Sequence, residues 1–540
     1  MKIIKYSIIT GIASILLTGC DLERLPYNEI PADKLDASNI ENITRGSYAK
    51  LKEEYYYKTI HQIGEYGGDN ISLSGTTSDL LYQTYTYRRS GTSLYTANLW
   101  QITYQTVVNV NSMIELIPEG ESAEKDQLLG ENYFLRGFLY FNLCNLFGRP
   151  YAQSPETNPG IPLKLTTDIT DFPPRSSVKA VYTQIVNDME KAVRLMTVSK
   201  SNIYASKEVA CAYLSRVHLY MGDWQKAKDY ADMVINSERY TLLQGSAYQH
   251  YTNPVPENNT ETIFAIRMNK DVDFEKYHMD YYSIGALYAS INDIGWGEMY
   301  PSYSYLQLLG RNPEDLRHAF IENQKPETPY KWLIYVNDVP MYVTREVTES
   351  GGTYTIAEKP EDFTDAVVQS DAGGYFVVEK ATSVKRYVNI EDAANKRNDY
   401  PKRFIYKCSL QEDQSHLYSP MMIRLAEMYL NRAEASFRLG ETGSALSDVN
   451  VIRRRAGIQE QTSVTLDDIL DERRLELAWE AHRKYDVFRT GQTLNRNYPG
   501  THLSGSPVHR TIEPTSLLIV ELIPQREMDA YPVPLEQNPQ

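Results

Sequence analysis

SKEVACAYLSRVHLYMGDWQKAKDYADMVINS, residues Ser206 to Ser237, reads as helix, tight turn, helix. Gly222 and Asp223 supply the turn, and Trp224 opens the second helix. Ala227 and Ala231 are small residues of the kind needed where two helices approach closely. Upstream, Ser177 caps a helix that runs to about Met196, with Val181, Ile185, Met189 and Val193 on one stripe. Before it, Leu128, Leu135, Leu139 and Leu146 recur at near-heptad spacing on a helix that ends at Gly148, with Pro150 beyond. An earlier periodic stretch runs from about Tyr95 to Ile117. Downstream, Ser419 to Ala456 repeats the helix–turn–helix pattern, with Ala426, Ala433 and Ala435 before Gly440 and Ala445 after it.

The 206–237 unit has the look of a tetratricopeptide pair, whose repeat is about 34 residues. The pair near Tyr95 to Phe147 reads as a divergent copy. Stacked pairs bury a shared core, so separate blocks can build one domain. The expected fold is mainly α, with tetratricopeptide-like helical repeats at about 95–240 and 419–491. From about Tyr240 to Pro420 the pattern changes: Gly, Pro, Asn, Asp and Tyr dominate, with strand-like runs at Thr262–Met268, Trp332–Val336 and Tyr375–Val378. Residues 64–93 are similar in character. Both read as insertions on a helical scaffold, an irregular, strand-containing lobe of the kind that usually carries binding. Leu517 to Gln540 is Pro-rich and reads as extended.

The first residues read as an export signal. Lys2 and Lys5 are followed by an apolar run, Ile8 to Leu17, too short to span a bilayer. Leu17-Thr18-Gly19-Cys20 then fits a lipoprotein cleavage site, which makes Cys20 the lipidated first residue of a mature chain. Residues 1–19 are thus expected to be a signal peptide, 20–35 a lipidated tether, and 36–540 a single domain. A net charge of −15 argues against a nucleic-acid partner, which would want a basic patch. Cys144, Cys211 and Cys408 form neither a disulfide framework nor a zinc site, and the first two lie in apolar helical stretches as buried thiols. The 43 tyrosines stand out against 5 Trp and 13 Phe. Tyr joins a flat apolar face to a hydroxyl, which suits a wet binding surface.

Several segments, in order, resemble the SusD/RagB family of outer-membrane nutrient-binding lipoproteins. NYFLRGFLYFNLCNLFGRPY (Asn132 to Tyr151) with GIPL (Gly160 to Leu163) is similar to that family's long helix and Phe-Gly corner. RSSVKAVYTQIVNDMEKAV from Arg175 is similar to the next helix. MIRLAEMYLNRAEASFRLG (Met422 to Gly440) and ALSDVNVIRRRAG (Ala445 to Gly457) are similar to the C-terminal repeat. ILDERRLELAWEAHRKYDVFRTG (Ile469 to Gly491) is the most specific piece, and LIPQREMDAYPVPLEQNPQ (Leu522 to Gln540) resembles the usual ending. The resemblance covers about half of the chain, mostly scaffold, and is weakest from about Lys270 to Pro401. It implies a non-enzymatic protein that captures a glycan on loops and delivers it to a TonB-dependent, SusC-like transporter. That transporter, the glycan and the outer membrane, through the lipid anchor, are the expected partners.

Sugar rings present C–H faces to aromatic rings, while their hydroxyls need amide, carboxylate or Arg partners. Two segments supply both kinds of group. One holds Asp69, Asn70, Tyr82, Tyr85, Tyr87 and Arg88. The other holds Tyr281, Tyr282, Tyr288, Asn292, Asp293, Trp296 and Tyr300, with Trp296 set between two glycines. Ligand binding is expected at Trp296, Tyr300, Asp69, Asn70, Tyr82, Tyr85, Arg88, Tyr282 and Asn292. No zincin, nucleophile-elbow or phosphate-loop motif is present, and no cofactor, metal or catalytic residue is assigned. The dense run Glu472, Arg473, Arg474, Glu476, His482, Arg483 and Asp486 reads as ion pairs on one helix, each worth little. Arg453, Arg454 and Arg455 read as a solvated face or as partners for those acids. Two other functions stay open: a repeat lipoprotein that binds only proteins in outer-membrane assembly, and a surface glycoside hydrolase, which needs only two carboxylates. A glycan is the favoured ligand, with a peptide as the alternative that composition leaves open.

Overall fold

The computed structural model describes residues 37–73, 80–276, 283–322, 331–336, 342–392, 396–397, 400–401, 403–498 and 510–539. Its long helices are α1 (Ala37–Leu51), α2 (Glu54–Tyr66), α3 (Leu94–Leu116), α4 (Ala123–Phe147), α5 (Val178–Leu195), α6 (Lys207–Met221), α7 (Trp224–Ile235), α8 (Leu425–Arg438), α9 (Thr442–Arg455) and α10 (Leu466–Glu476). The mainly α expectation holds. Cys20 and the rest of residues 1–36 lie outside the described residues.

Local chemistry sets the helix boundaries. Ser177 accepts from the Ala180 amide, Ser206 from Val209 and Asp223 from Lys226, each satisfying a donor the helix leaves open. Gly222 closes α6 at φ 76°, a left-handed conformation that Gly adopts without a Cβ clash. Ala227 and Ala231 are fully buried, as the tight α6–α7 approach demands. Successive helices α3 to α7 pack each on the next. The stack then continues from α7 directly onto α8, nearly two hundred residues later in sequence, and on to α9 and α10. Everything between α7 and α8 is therefore looped out of one continuous superhelix.

Helices α1 and α2 precede the periodic stretch; α1 buries Ile40, Thr44, Ser47, Tyr48 and Leu51 along one face. In α2 every residue from Tyr56 to Tyr66 is buried, so polar and apolar positions do not alternate by face. The C-terminal tail is less extended than its prolines suggest: Gln525–Ala530 is a short helix. Cys144, Cys211 and Cys408 are all buried free thiols.

The looped-out region is closed at its base by an antiparallel pair, Thr262–Ala265 with Met421–Arg424, which joins the chain leaving the stack to the chain returning. Beyond it lie small sheets. One four-stranded antiparallel sheet has the order Asn389–Asp392, Lys331–Val336, Tyr342–Ser350, Thr353–Ile356, and a three-stranded one holds Gln369–Asp371, Gly374–Val378 and Lys385–Tyr387. Val347, Ile356, Phe363, Val368, Val377 and Val388 form a core of their own beneath these sheets.

The charged run from Glu472 to Asp486 corrects the reading of weak pairs on one helix. Helix α10 stops at Glu476; Trp479 and Ala481 turn left-handed at φ 63° and 66°, and a new helix spans Arg483–Arg489. Its charges are buried. Glu476 meets Arg455 at 2.5 Å and Arg424 at 2.7 Å, and accepts the Tyr248 hydroxyl at 2.7 Å. Glu261 pairs with Arg424 at 2.6 Å and Arg455 at 2.8 Å, and Glu480 holds Arg424 at 2.8 Å and Lys407 at 2.6 Å. Arg317 bridges Asp315 at 2.7 Å and Glu472 at 2.6 Å, and Glu472 also takes Arg453 at 3.1 Å. These acids and bases balance one for one. Of the arginine triplet only Arg454 is solvated, paired with exposed Glu460.

Breaking a buried pair strands the remaining charges, at a cost of about 3–5 kcal/mol. Glu476→Gln is expected to lower stability by about that much in chemical denaturation, while Arg454→Ala changes it by less than about 0.5 kcal/mol. Equal small effects would overturn the distinction between the two sites.

The pH profile follows from the same groups. Burial would raise Glu480 and Glu427, yet the cations around them hold both at about 2, below the ordinary 4.5. Their stabilisation is present above 4.5 and is lost as pH falls toward 2. Burial lowers His61 to about 3 and His482 to about 4, so protonation of the unfolded chain erodes stability below 6.5. Burial raises Glu65 and Glu131 to about 7, which works the other way, favouring the fold as pH falls from 7 to 4.5. The two opposing sets nearly offset one another between 7 and 4.5. Thermal midpoints are thus expected to be nearly level there and to drop steeply below 4.5, as read by circular dichroism.

Candidate functional site

The two tyrosine-rich segments meet. Ile71–Leu73 pairs antiparallel with Met299–Pro301, setting Ser72 opposite Tyr300. Beneath this pair lies a closed polar layer. Asp69 makes ion pairs with Arg483 and Arg474, while its backbone carbonyl accepts from Ser304 at 3.2 Å and from Tyr498 at 3.3 Å. Burial alone would raise the Asp69 carboxyl, but Arg474 and Arg483 hold it at about 2. The Asn70 amide donates to Glu65 at 3.0 Å and accepts from Arg474 at 2.8 Å. Tyr85 lies under the Arg496 guanidinium, 4.7 Å from its centroid. Asp69, Asn70, Tyr85 and Tyr300 are all at or below 6% exposed, so these four side chains build the floor of the loops and offer no face to a ligand. Tyr87 and Tyr288 are buried too; the Tyr288 hydroxyl sits 2.7 Å from His61.

Above that floor runs a loop held by its own backbone. The short helix Ile284–Tyr288 is capped by Ser283. Ile291 and Ile294 then exchange two hydrogen bonds, 2.8 and 3.1 Å, around Asn292 and Asp293, both at positive φ (54° and 62°). That is the signature of a two-residue type I′ turn, where Asn and Asp are favoured. Gly295 is left-handed at φ 99° because the backbone here passes against His416 and Ala289, and His416 Nε2 contacts the Ile294 carbonyl at 2.7 Å. The amides of Trp296 and Gly297 both donate to the Ala286 carbonyl, at 2.7 and 3.0 Å. A Cβ on Gly297 would sit 2.5 Å from the Phe404 ring.

Trp296 is thus fixed in backbone while 49% of its surface is exposed. Asn292 is exposed beside it in sequence and donates to Ser415 at 3.4 Å. Tyr82 and Arg88 stack on each other, 5.7 Å from guanidinium to ring, with Arg88 exposed at the rim of a cleft lined by Gln62, Gln83 and Arg89. Tyr281 and Tyr282 lie outside the described residues. The supports from the far end of the insertion, Phe404, Ser415 and His416, carry no sequence signal. Each depends on a contact more than a hundred residues away, Phe404 from a two-residue strand and Ser415 and His416 from irregular chain.

Among the described residues, no group of three or more His, Cys, Asp or Glu is placed to hold a metal ion. No helix there is long and apolar enough to cross a membrane.

Two family profiles divide the chain between them: one described as "Starch-binding associating with outer membrane" over residues 22–219, the other as "SusD family" over residues 260–507. The chain belongs to the SusD/RagB family. Members of that family are starch- and carbohydrate-binding proteins associated with the outer membrane. A SusD-like protein of Formosa agariphila is 26% identical over 529 residues, covering 90% of each chain. The starch-binding protein SusD of Bacteroides thetaiotaomicron is 24% identical over 397 residues, covering 70% of this chain and 66% of that one. Among solved structures, a SusD superfamily protein from Bacteroides thetaiotaomicron superposes with a TM-score of 0.72 at 25% identity, over 94% of this chain and 100% of that chain. This SusD-type chain therefore shares the architecture along nearly its whole length, while its loops are free to differ.

Because the Trp296 ring projects from a loop fastened by main-chain bonds, removing it should leave the fold alone. Trp296→Ala is expected to unfold within about 0.5 kcal/mol of the parent protein, and to lose the red-shifted, acrylamide-quenchable part of the tryptophan emission. A large loss of stability would mean that the ring packs the loop instead of facing solvent.

Proposed function

We propose that this protein is a non-enzymatic cell-surface lipoprotein that captures a glycan and delivers it to a TonB-dependent, SusC-like transporter in the outer membrane. The observation that carries the reading is the half-exposed Trp296 ring on a loop locked by its own backbone. A loop held in place presents its ring to a sugar without the ordering cost of a mobile loop. Asn292 on the same loop supplies an amide for hydroxyl groups, and Arg88 over Tyr82, at the rim of its own cleft, a guanidinium. Lipidation at Cys20 would hold the domain at the membrane, and a tether of about fifteen residues leaves it room to sit over a partner. The family's carbohydrate-binding membership supports the glycan, and its outer-membrane association supports the anchor.

Gel retardation of the protein cut after Gly19, through amylopectin, galactomannan, xylan, mannan and laminarin, tests this directly. One or more of these should retard the protein without release of reducing sugar, and Trp296→Ala should weaken the retardation by roughly tenfold, about 1.4 kcal/mol. Hydrolysis would make it a glycosidase; indifference to every glycan would point to peptide or purely protein ligands. Cys20→Ala should move the protein from the membrane to the soluble fraction, and the intact form should bring the transporter down with it.

A further inference from the structure

The lobe between α7 and α8 carries a second ordered aromatic surface, remote in sequence from Trp296 and resting on a core of its own. In the three-stranded sheet, Phe376 is paired across the ladder with both Gln369 and Tyr387, and Val378 with Lys385. Alternation then puts Gln369, Asp371, Phe376, Val378, Lys385 and Tyr387 on one face, while Val377, 3% exposed, turns to the lobe's core. The outward face is built around Tyr387. Its ring lies against Gly373, where an added Cβ would come within 2.7 Å of three ring and hydroxyl atoms. Its hydroxyl donates to Asp371 at 3.3 Å. Lys385 forms an ion pair with Asp371 and stands 3.7 Å from the Phe376 ring centre and 4.9 Å from that of Tyr387. Even so, Tyr387 is 52% exposed.

Folding does not account for this arrangement. An ion pair whose partners are 39% and 36% exposed adds little stability. An exposed Tyr gains nothing from being immobilised, and its rotamer freedom is lost. What the arrangement provides is a rigid ring with a carboxylate and an ammonium at its edge. We infer that this face is a second glycan-contact site, taking one or two rings of a neutral polysaccharide by stacking on Tyr387, with hydroxyls meeting Asp371 and Lys385. The charges of Asp371 and Lys385 cancel, which favours a neutral sugar over a uronate. The apolar surface, two rings and Val378, is far short of the roughly 800 Å² per partner that a stable protein interface needs. The inference rests on the glycan reading of the chain. It adds that a long polymer engages two places on one molecule, so that the second contact acts by effective concentration.

The test compares the parent protein with Tyr387→Ala, Gly373→Ala and Trp296→Ala on the same five neutral polysaccharides and on polygalacturonate. Gly373→Ala keeps the ring and displaces it, so it separates loss of the platform from loss of a side chain; circular dichroism confirms folding. Both Tyr387→Ala and Gly373→Ala should weaken retardation by the neutral polymer roughly tenfold. Calorimetric affinity for a short oligosaccharide of the same sugar should stay unchanged in both, yet fall in Trp296→Ala. Hydrogen exchange across 369–388 should slow when polymer is added. Parent-like retardation of both lobe variants, with the parent retarded, overturns the second site and leaves the glycan reading standing. No retardation of the parent overturns both. Tyr387-dependent retardation by polygalacturonate alone overturns the neutral assignment.

Discussion

Glu476 is the point at which the two halves of this molecule are fastened together. It ends the last helix of the repeat stack, and every cation it meets comes from a different part of the chain: Arg455 from α9, Arg424 from the returning strand, Arg317 from the insertion. Tyr248 and Tyr251, also from the insertion, lay their rings against Arg455 and Arg424 at 4.1 and 5.2 Å. Charges this deep are tolerable only because each is matched and hydrogen-bonded. The requirement is reciprocal. Arg455 in the stack is matched by Glu261, which stands just before the outgoing base strand, and Glu261 in turn is buried against Arg455 and Arg424. The insertion is therefore registered on the helices by electrostatic matching, with apolar burial around it.

That fastening explains how a scaffold can carry loops of very different composition. The base strand pair and the ion network fix where the insertion leaves and rejoins the stack. Beyond them, the Trp296 loop is held by main-chain bonds and by Phe404 and His416, and the small sheets by their own core. Side chains that face solvent on the loops can then vary without touching the stack, as expected where a rigid frame presents variable contacts.

The helical stack was legible because its signals are local: serine caps, Gly222, paired alanines and a 3.6-residue stripe all act within a few residues of one another. The exceptions are instructive. Helix α2 buries Lys58, His61, Gln62 and Glu65 along with its apolar residues, so residue polarity does not report burial there. The Glu472–Asp486 run looked like surface charge because the distant partners that bury it, Arg317, Arg424 and Lys407, lie scattered over about a hundred residues of the insertion and its return. In the loops, residue type pointed to Trp296 and Asn292 at exposed positions, but the same criterion selected Asp69, Asn70, Tyr85 and Tyr300. Polar and aromatic side chains serve a binding surface or a buried polar floor equally well. Only tertiary contacts decide which, here the arginines 474, 483 and 496 from the far end of the chain.

The same ambiguity bears on the high tyrosine content. Many of the tyrosines are buried, and several spend their hydroxyls on carboxylates or carbonyls: Tyr48 on Glu131, Tyr248 on Glu476, Tyr87 on Gly67. Tyr is the residue that lets an apolar interior accommodate a polar layer, since its ring packs while its hydroxyl answers a buried acceptor. A chain that buries this many charges needs such residues in its core, so tyrosine abundance by itself says little about ligands. What distinguishes a contact surface is an aromatic ring that is held and yet exposed. Tyr387 meets that description through the glycine, carboxylate and ammonium that fix it, and Trp296 stands exposed on a loop whose backbone is held.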